Sequence, residues 1–476
     1  MPKSRIVASV IAVALAVSAT GFSGAASAAE PRPAATTTSS GVRMLKNIGT
    51  GKQTPYGISF GTRDEVAKVG NIVLFAATDS THGTELWRTD GTTKGTKLVK
   101  DIYRDPASDF PPSSSPTGLT TIGKYVFFTA DLPNRKKGIV RTDGTSAGTK
   151  LVQIIDGGIL SSRAGGFTPA GKAMYFVETT NEFGAELWRT NGTSAGTKMV
   201  VDINPGSDAG IQSPLFTFDG ALYFSANDGV NGAELWVSRG TEESTHMVTN
   251  LEPGFQGSSP RDFAVLDGRL FVLAYTSALG YSLYELINDS LELVADTVPG
   301  DETSRANHLT AAGDHLYFQD TTPATGSELW ASDGTTVGTA LVGEIRAGAD
   351  SSEPDGLYAF KGDVYFRAYD GERSNLYRSD GPSTVRQIGL NLPTATASNP
   401  AFFVGCGSKL FFSAADEREG AELWATTGVS SAVKRFVVRP GDEGSTPEPL
   451  VCFKNRLLFA GTSGTLGREM WFTRDP

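Results

Sequence analysis

The 476-residue chain is poor in the residues through which most enzymes react. Its four histidines, His82, His246, His308 and His315, show no metal-ligand spacing. His308 and His315 flank a first strand and its turn and read as surface or packing residues. No Gly-x-Ser-x-Gly element or phosphate-cradling loop precedes a helix, so neither a nucleophile elbow nor P-loop chemistry finds support. Only two cysteines occur, Cys406 and Cys452. They fall at nearly equivalent places in consecutive repeats, one residue out of register. In an oxidising compartment they form a disulfide between neighbouring units; otherwise they are two buried thiols. Neither has metal or catalytic partners of the right kind nearby.

Long apolar runs are equally scarce. The one that stands out, residues 6–17, is shorter than the roughly 20 residues a membrane-spanning helix needs. It follows Lys3 and Arg5 and precedes Ala26-Ser27-Ala28, the pattern of a cleaved export signal over residues 1–28. Residues 29–40, rich in Pro, Ala and Thr, read as a flexible linker. The mature protein is expected to be secreted, soluble and monomeric. Positive charge is also in deficit: 42 Lys and Arg stand against 52 Asp and Glu, a formal −10 that becomes −12 once Lys3 and Arg5 are removed. Such a surface disfavours nucleic acid and anionic membranes.

What the chain has is glycine, 55 residues of it, and a repeat. All six tryptophans close one motif: Glu85-Leu86-Trp87, Glu186-Leu187-Trp188, Glu234-Leu235-Trp236, Glu328-Leu329-Trp330, Glu422-Leu423-Trp424 and Glu469-Met470-Trp471. Three further units carry Ile139-Val140, Leu283-Tyr284 and Leu376-Tyr377 in the same place. An upstream apolar marker, Phe in all but one unit, keeps the same period of about 46 to 53 residues. Within each unit, short β-rich runs alternate with tight turns such as Asp219-Gly220, the strongest short hairpin signal. Four strands in a meander at this period describe a propeller blade. Continuous apolar strands such as Leu222-Tyr223-Phe224 suit blades covered on both faces, with the Trp as a wedge between neighbours. The last unit lacks a fourth strand, while residues 42–48 resemble a fourth strand without a preceding three. The expectation is an all-β protein: one propeller of nine four-stranded blades over residues 41–476, closed by the N-terminal strand.

On these residues the chain resembles the bacterial ELWxxDGT repeat family. The fullest forms are Glu85-Leu86-Trp87-Arg88-Thr89-Asp90-Gly91-Thr92 and Glu328-Leu329-Trp330-Ala331-Ser332-Asp333-Gly334-Thr335. The resemblance implies exported propeller-like repeats and lends no catalytic residues. The second, fifth and seventh units depart from the motif.

Function then has to be sought where the repeat lapses, because stacking explains what repeats. The Asp-Gly-Thr segments read as turns. Calcium is conceivable there as an oxygen-rich ligand set, but one Asp per turn is too few. A second recurrence puts Asp79, Asp228, Asp370 and Asp416 four residues beyond the marker, with Asp131 and Asp320 close to the same place. Together with acidic connectors they make one loop face acidic, while lysines and arginines beside the first hairpin make the other face basic. The longest connector, with Tyr103, Arg104, Asp105, Asp109 and Phe110, and the nearby Arg135 and Lys136 form the first choice for a ligand site. The leading expectation is a scaffold binding an extracellular carbohydrate or protein through the acidic face. The alternative is a propeller hydrolase or lyase acting on extracellular polysaccharide, signalled by His, Arg, Tyr and paired acids converging on the channel.

Overall fold

A computed structural model describes residues 41–49, 66–105, 108, 110–155, 166–298, 304–389, 399–416, 420–430, 433–439, 443–464 and 467–473. The expected signal and linker, residues 1–40, lie outside them, as does Asp109.

Nine four-stranded antiparallel sheets form the ring of a nine-bladed propeller. Blades 1 to 8 take their strands consecutively; blade 1, for example, uses Val66–Val69, Ile72–Asp79, Gly83–Thr89 and Lys97–Lys100. Blade 9 draws three strands from the C-terminal end, Glu448–Phe453, Arg456–Ser463 and Gly467–Thr473. Its outer strand is Val42–Lys46, with Val42 opposite Thr473 and Met44 opposite Trp471. The expected clasp is therefore present, and it covers an edge that would otherwise offer unpaired backbone groups. First strands of successive blades lie against one another at the ring centre.

Each of nine apolar clusters straddles one blade boundary. The motif aromatic always clusters with residues of the preceding blade: Trp188 with Phe127 and Ile139, Tyr284 with Tyr223, and Trp424 with Tyr365. Trp87 joins Leu450, Phe453 and Phe472 of blade 9, so the last boundary is packed like the others. Burying such a ring contributes on the order of 3 kcal/mol. Cys406 and Cys452 form a disulfide between the first strands of blades 8 and 9, with Cα atoms 5.1 Å apart.

The Asp-Gly-Thr segments are turns. Asp90 Oδ1 accepts from Thr92 N and Thr92 Oγ1, and Thr92 Oγ1 in turn accepts from Gly95 N. A Cβ on Gly95 would meet Asp90 Oδ1 at 2.0 Å, so only glycine fits. Asp143, Asn191 and Asp333 repeat the arrangement. The letters Gly-x-Ser-x-Gly do occur at 144–148 and 192–196, inside these turns, where Ser194 Oγ simply donates to Gln153. The basic side chains of this face hold neighbouring turns: Arg88 donates to Gly144 O, Arg189 to Gly240 O and Lys454 to Asp90 O.

Candidate functional site

The glutamate of the motif, a bare marker in the sequence, organises the opposite face. Glu234 has no exposed surface, yet it accepts from Leu251 N, Glu252 N, Ser258 N and Ser258 Oγ, the last at 2.5 Å. Glu85 does the same for Ile102 N, Tyr103 N, Ser114 N and Ser114 Oγ. Glu328 clips Ser352, Glu422 clips Ser445, and Glu469 takes Ile48 N and Gly49 N. The first four thus tie the end of a blade's fourth strand to the chain entering the next blade, and Glu469 holds the end of the clasp strand. Burial raises every one of these carboxyls, against the pull of the donors, and carries Glu186 and Glu422 to about 7. A signal for this role does exist in the sequence. It is Ser-x-Pro, recurring at Ser114, Ser258, Ser352 and Ser445, whose middle residue takes a positive φ of 42° to 49°.

Where the glutamate is missing, the structure corrects one expectation. Asp320 does not belong to the acidic loop face: it is fully buried. Blade 5 has Ser282 at the glutamate position, and Asp320 enters from blade 6 instead, accepting from Thr297 Oγ1, Ser304 Oγ and Arg305 N. Most blades keep Ala at this register, opposite the motif residue, to leave the glutamate room; the exceptions include Asp320 and Glu178. Glu178 belongs to blade 3, which follows the one blade with Gly138 in the motif.

Of the remaining loop acids, three are spent on turns. Asp79 accepts from Thr81 N, His82 N and His82 Nδ1; Asp228 from Val230 N, Asn231 N and Asn231 Nδ2; Asp370 from Glu372 N, Arg373 N and Asn375 Nδ2. Asp131 pairs with Lys137 at 3.3 Å. Asp416 ends the second strand of blade 8.

The favoured connector does build a cleft, of about 580 Å³, with Tyr103, Arg104 and Asp105 in its wall. Thr81 and His82 of the adjoining loop line it as well, together with Asp101, Ser108, Pro111 and Pro112. Asp79 holds His82 by Nδ1, which turns the other ring nitrogen outward. Arg104 makes no ion pair among the described residues, and Phe110 stands 81% exposed beside the cleft. Arg135 and Lys136 are exposed on the neighbouring hairpin of blade 2 and do not line it.

A second cleft, of about 530 Å³, opens at the inner strands of blades 6 and 7. At the position after the marker aromatic, most blades carry short or apolar residues: Ala76, Thr129, Val177, Ser225, Leu273, Ser413 and Ala460. Blades 6 and 7 alone place long polar groups there, Gln319 and Arg367. Gln319 Nε2 donates to Glu353 Oε2 at 2.9 Å. Arg367 pairs with Asp355 and donates to Asn399 Oδ1. His308 Nε2 lies 3.8 Å from Asp355 Oδ1, while its backbone N–H donates to Asp262 Oδ2. His308 is therefore neither packing nor plain surface. It occupies a bulge with φ 62°, the place held by Gly118 and Gly356 in blades 2 and 7 and by Asp262 and Phe402 in blades 5 and 8, all of them left-handed. Burial raises the Asp355 carboxyl, but Arg367 and Gly356 N outweigh it and the net position is below the usual range.

No protein-family model matches the chain, and no curated protein matches it. Solved structures resemble it in fold. Dipeptidyl peptidase 4 of Porphyromonas gingivalis matches with a TM-score of 0.51 at 10% identity, over 86% of this chain and 65% of that one. A structure from work on two prolyl endopeptidases gives 0.40 at 15%, over 75% and 54%. The β-propeller domain of the Trilobed protease from Pyrococcus furiosus gives 0.34 at 15%, over 67% and 97%. The chain spans only 54% and 65% of the first two, and at these identities the likeness is one of fold.

Proposed function

We propose that the chain is an exported binding scaffold that engages an extracellular polymer or protein through the connector face, with the blade-1 cleft as its contact. The observation that carries this reading is the union of Arg104, Tyr103 and outward-turned His82 in one cleft with Phe110 exposed beside it. Planar polar groups next to an exposed ring suit a sugar chain or a peptide. The loop acids favour a scaffold as well, since turn geometry absorbs Asp79, Asp228 and Asp370.

The second reading, a polysaccharide hydrolase or lyase, is favoured by His308, Arg367, Glu353 and Asp355 meeting at the inner strands. Binding is the better account of that cluster. A general acid needs a carboxyl that holds its proton near neutrality, and Asp355 is held ionised by Arg367. The motif carboxyls raised to about 7, Glu186 and Glu422, are sealed in the connector clips.

The test is a pull-down of the secreted protein on insoluble polysaccharides and cell-wall preparations, repeated with Arg104→Ala and Phe110→Ala. We expect retention on at least one polymer and about a tenfold weakening in the variants, the effect of losing one charged or aromatic contact. Retention unchanged in the double variant, or turnover of a polysaccharide without retention, overturns the reading.

A further inference from the structure

We propose that the inner-strand cleft of blades 6 and 7 is a second, separate site that binds a neutral polyhydroxylated ligand, a saccharide unit. It does not depend on the blade-1 cleft, which lies three to four blades away by the shorter way round the ring.

The ring gives no packing reason for this cluster. Seven blades fill the position after the marker aromatic with short or apolar residues, so Gln319 and Arg367 answer to something other than stacking. His308 stands at a left-handed bulge residue that recurs around the ring, as Gly118 and Gly356 in blades 2 and 7 and as Asp262 and Phe402 in blades 5 and 8; what is particular to blade 6 is the imidazole. Bulges re-aim side chains. Here the bulge brings the His308 ring toward Asp355.

The side chains fix one another rather than neutralise one another completely. Asp355, Arg367 and Asn399 form one chain of contacts, and Gln319 and Glu353 form a second. Arg367 spends Nη1 and Nη2 on Asn399 and Asp355, Asp355 also accepts from Gly356 N, and Gln319 Nε2 is shared by Glu353 and Ser327. What is left for a ligand is the spare acceptor capacity of the Glu353 and Asp355 carboxylates, the Asn399 amide and the His308 ring, held at positions that cost little further ordering. The charge pattern then selects the chemistry. Glu353 and Asp355 face one guanidinium that is already paired, and Asp262 lies at the back of His308. An anion would meet a negative site. A metal ion would find no group of three ligands among the described residues. Vicinal hydroxyls, each both donor and acceptor, match the carboxylate, amide and imidazole edges that remain without adding charge. Tyr369, 37% exposed, places a ring at the cleft on which the C–H face of a sugar can lie. A volume of about 530 Å³ is within the range of small-ligand sites.

The test uses the secreted full chain in saturation-transfer NMR and titration calorimetry. The probes are glucose, mannose, galactose, N-acetylglucosamine, xylose and their β-linked disaccharides, with inorganic phosphate and spermidine as charged controls. At least one neutral sugar should bind. His308→Gly, which installs the residue used by blades 2 and 7 and so spares the fold, should weaken it about tenfold or more; Glu353→Gln should do the same. Arg104→Ala should leave this binding unchanged, which separates failure here from failure of the blade-1 cleft. The proposal is overturned if no neutral sugar binds, if both variants bind sugar as the parent does, or if a His308-dependent site prefers phosphate or spermidine.

Discussion

Replacing Glu234 with alanine strands four donors at once: the half-buried amides of Leu251 and Glu252 and the buried amide and hydroxyl of Ser258. A buried donor without an acceptor costs about 1–3 kcal/mol, so counting all four at full cost, near 4 to 12 kcal/mol, gives an upper bound. The real figure is smaller, because the connector through Pro253 and Gly254 is exposed and admits water once the carboxylate is gone. Losses of about 3–5 kcal/mol, typical of breaking a buried charged network, are the expected scale. Glu234→Gln should cost less, since one oxygen still accepts. Urea denaturation followed by tryptophan fluorescence gives the global effect, with exposed Glu182→Ala as the unchanged control. The sharper assay is hydrogen exchange at Leu251, Glu252 and Ser258, which should lose protection in the alanine variant while the strands of blade 8 keep theirs. If those three amides stay protected and the midpoint does not move, the glutamate is not what holds the connector.

Three other perturbations test the same frame. The pH dependence follows from the raised carboxyls. Unfolded, Glu186 and Glu422 release their protons near 4.5; folded, near 7. The folded state therefore holds more protons between those values, so their contribution is complete below about pH 4.5 and is lost as pH rises through 7. Thermal midpoints should fall from pH 5 to pH 8, and Glu422→Gln should flatten the slope; a rise would refute it. Reducing Cys406–Cys452, or converting both to serine, removes a link across 46 residues, worth up to about 4 kcal/mol by loop-closure entropy. Calorimetry should show a lower midpoint for both forms than for the oxidised parent, and unchanged midpoints would refute it. Leu45→Asp puts a charge at a buried position of the clasp, and light scattering should reveal multimers as the edge of Gly467–Thr473 becomes available.

The fold was legible because one residue type betrays it: every tryptophan sits at a blade boundary, and large buried rings tolerate little drift in spacing. The missing fourth strand was readable for the same reason, since a meander must end on an unpaired edge unless the chain supplies a partner. The glutamate clips were not. Their serines lie 23 to 29 residues downstream of the carboxylate, a spacing that varies with connector length and so hides from a search for fixed period. Asp320 was misplaced because proximity in sequence to a loop says nothing of which face of the strand it occupies; its register opposite Glu328 turns it inward. The blade 6–7 cleft had a usable signal that went unread. Residues at one phase of consecutive repeats become neighbours on the ring: His308 is the equivalent of Asp262 in blade 5, and Asp355 stands one residue before its equivalent in blade 7, Gly356.

Asp320 also bears on how such a chain can grow or shrink by duplication. A blade with its own glutamate can be followed by any blade with a small residue opposite the motif. Blade 5 cannot, because Ser304 and Arg305 need an acid from behind, which here comes from blade 6 and which elsewhere in the ring only blade 3, with Glu178, carries at that register. Moved to follow blade 4, blade 6 would set Asp320 against Glu234 over one set of donors, two buried acids where the connector can satisfy one. Copied alone, blade 5 would leave its connector unclipped. The pair must therefore be inherited together, so that beneath the visible nine-fold period the ring has an order in which these two blades count as a single unit.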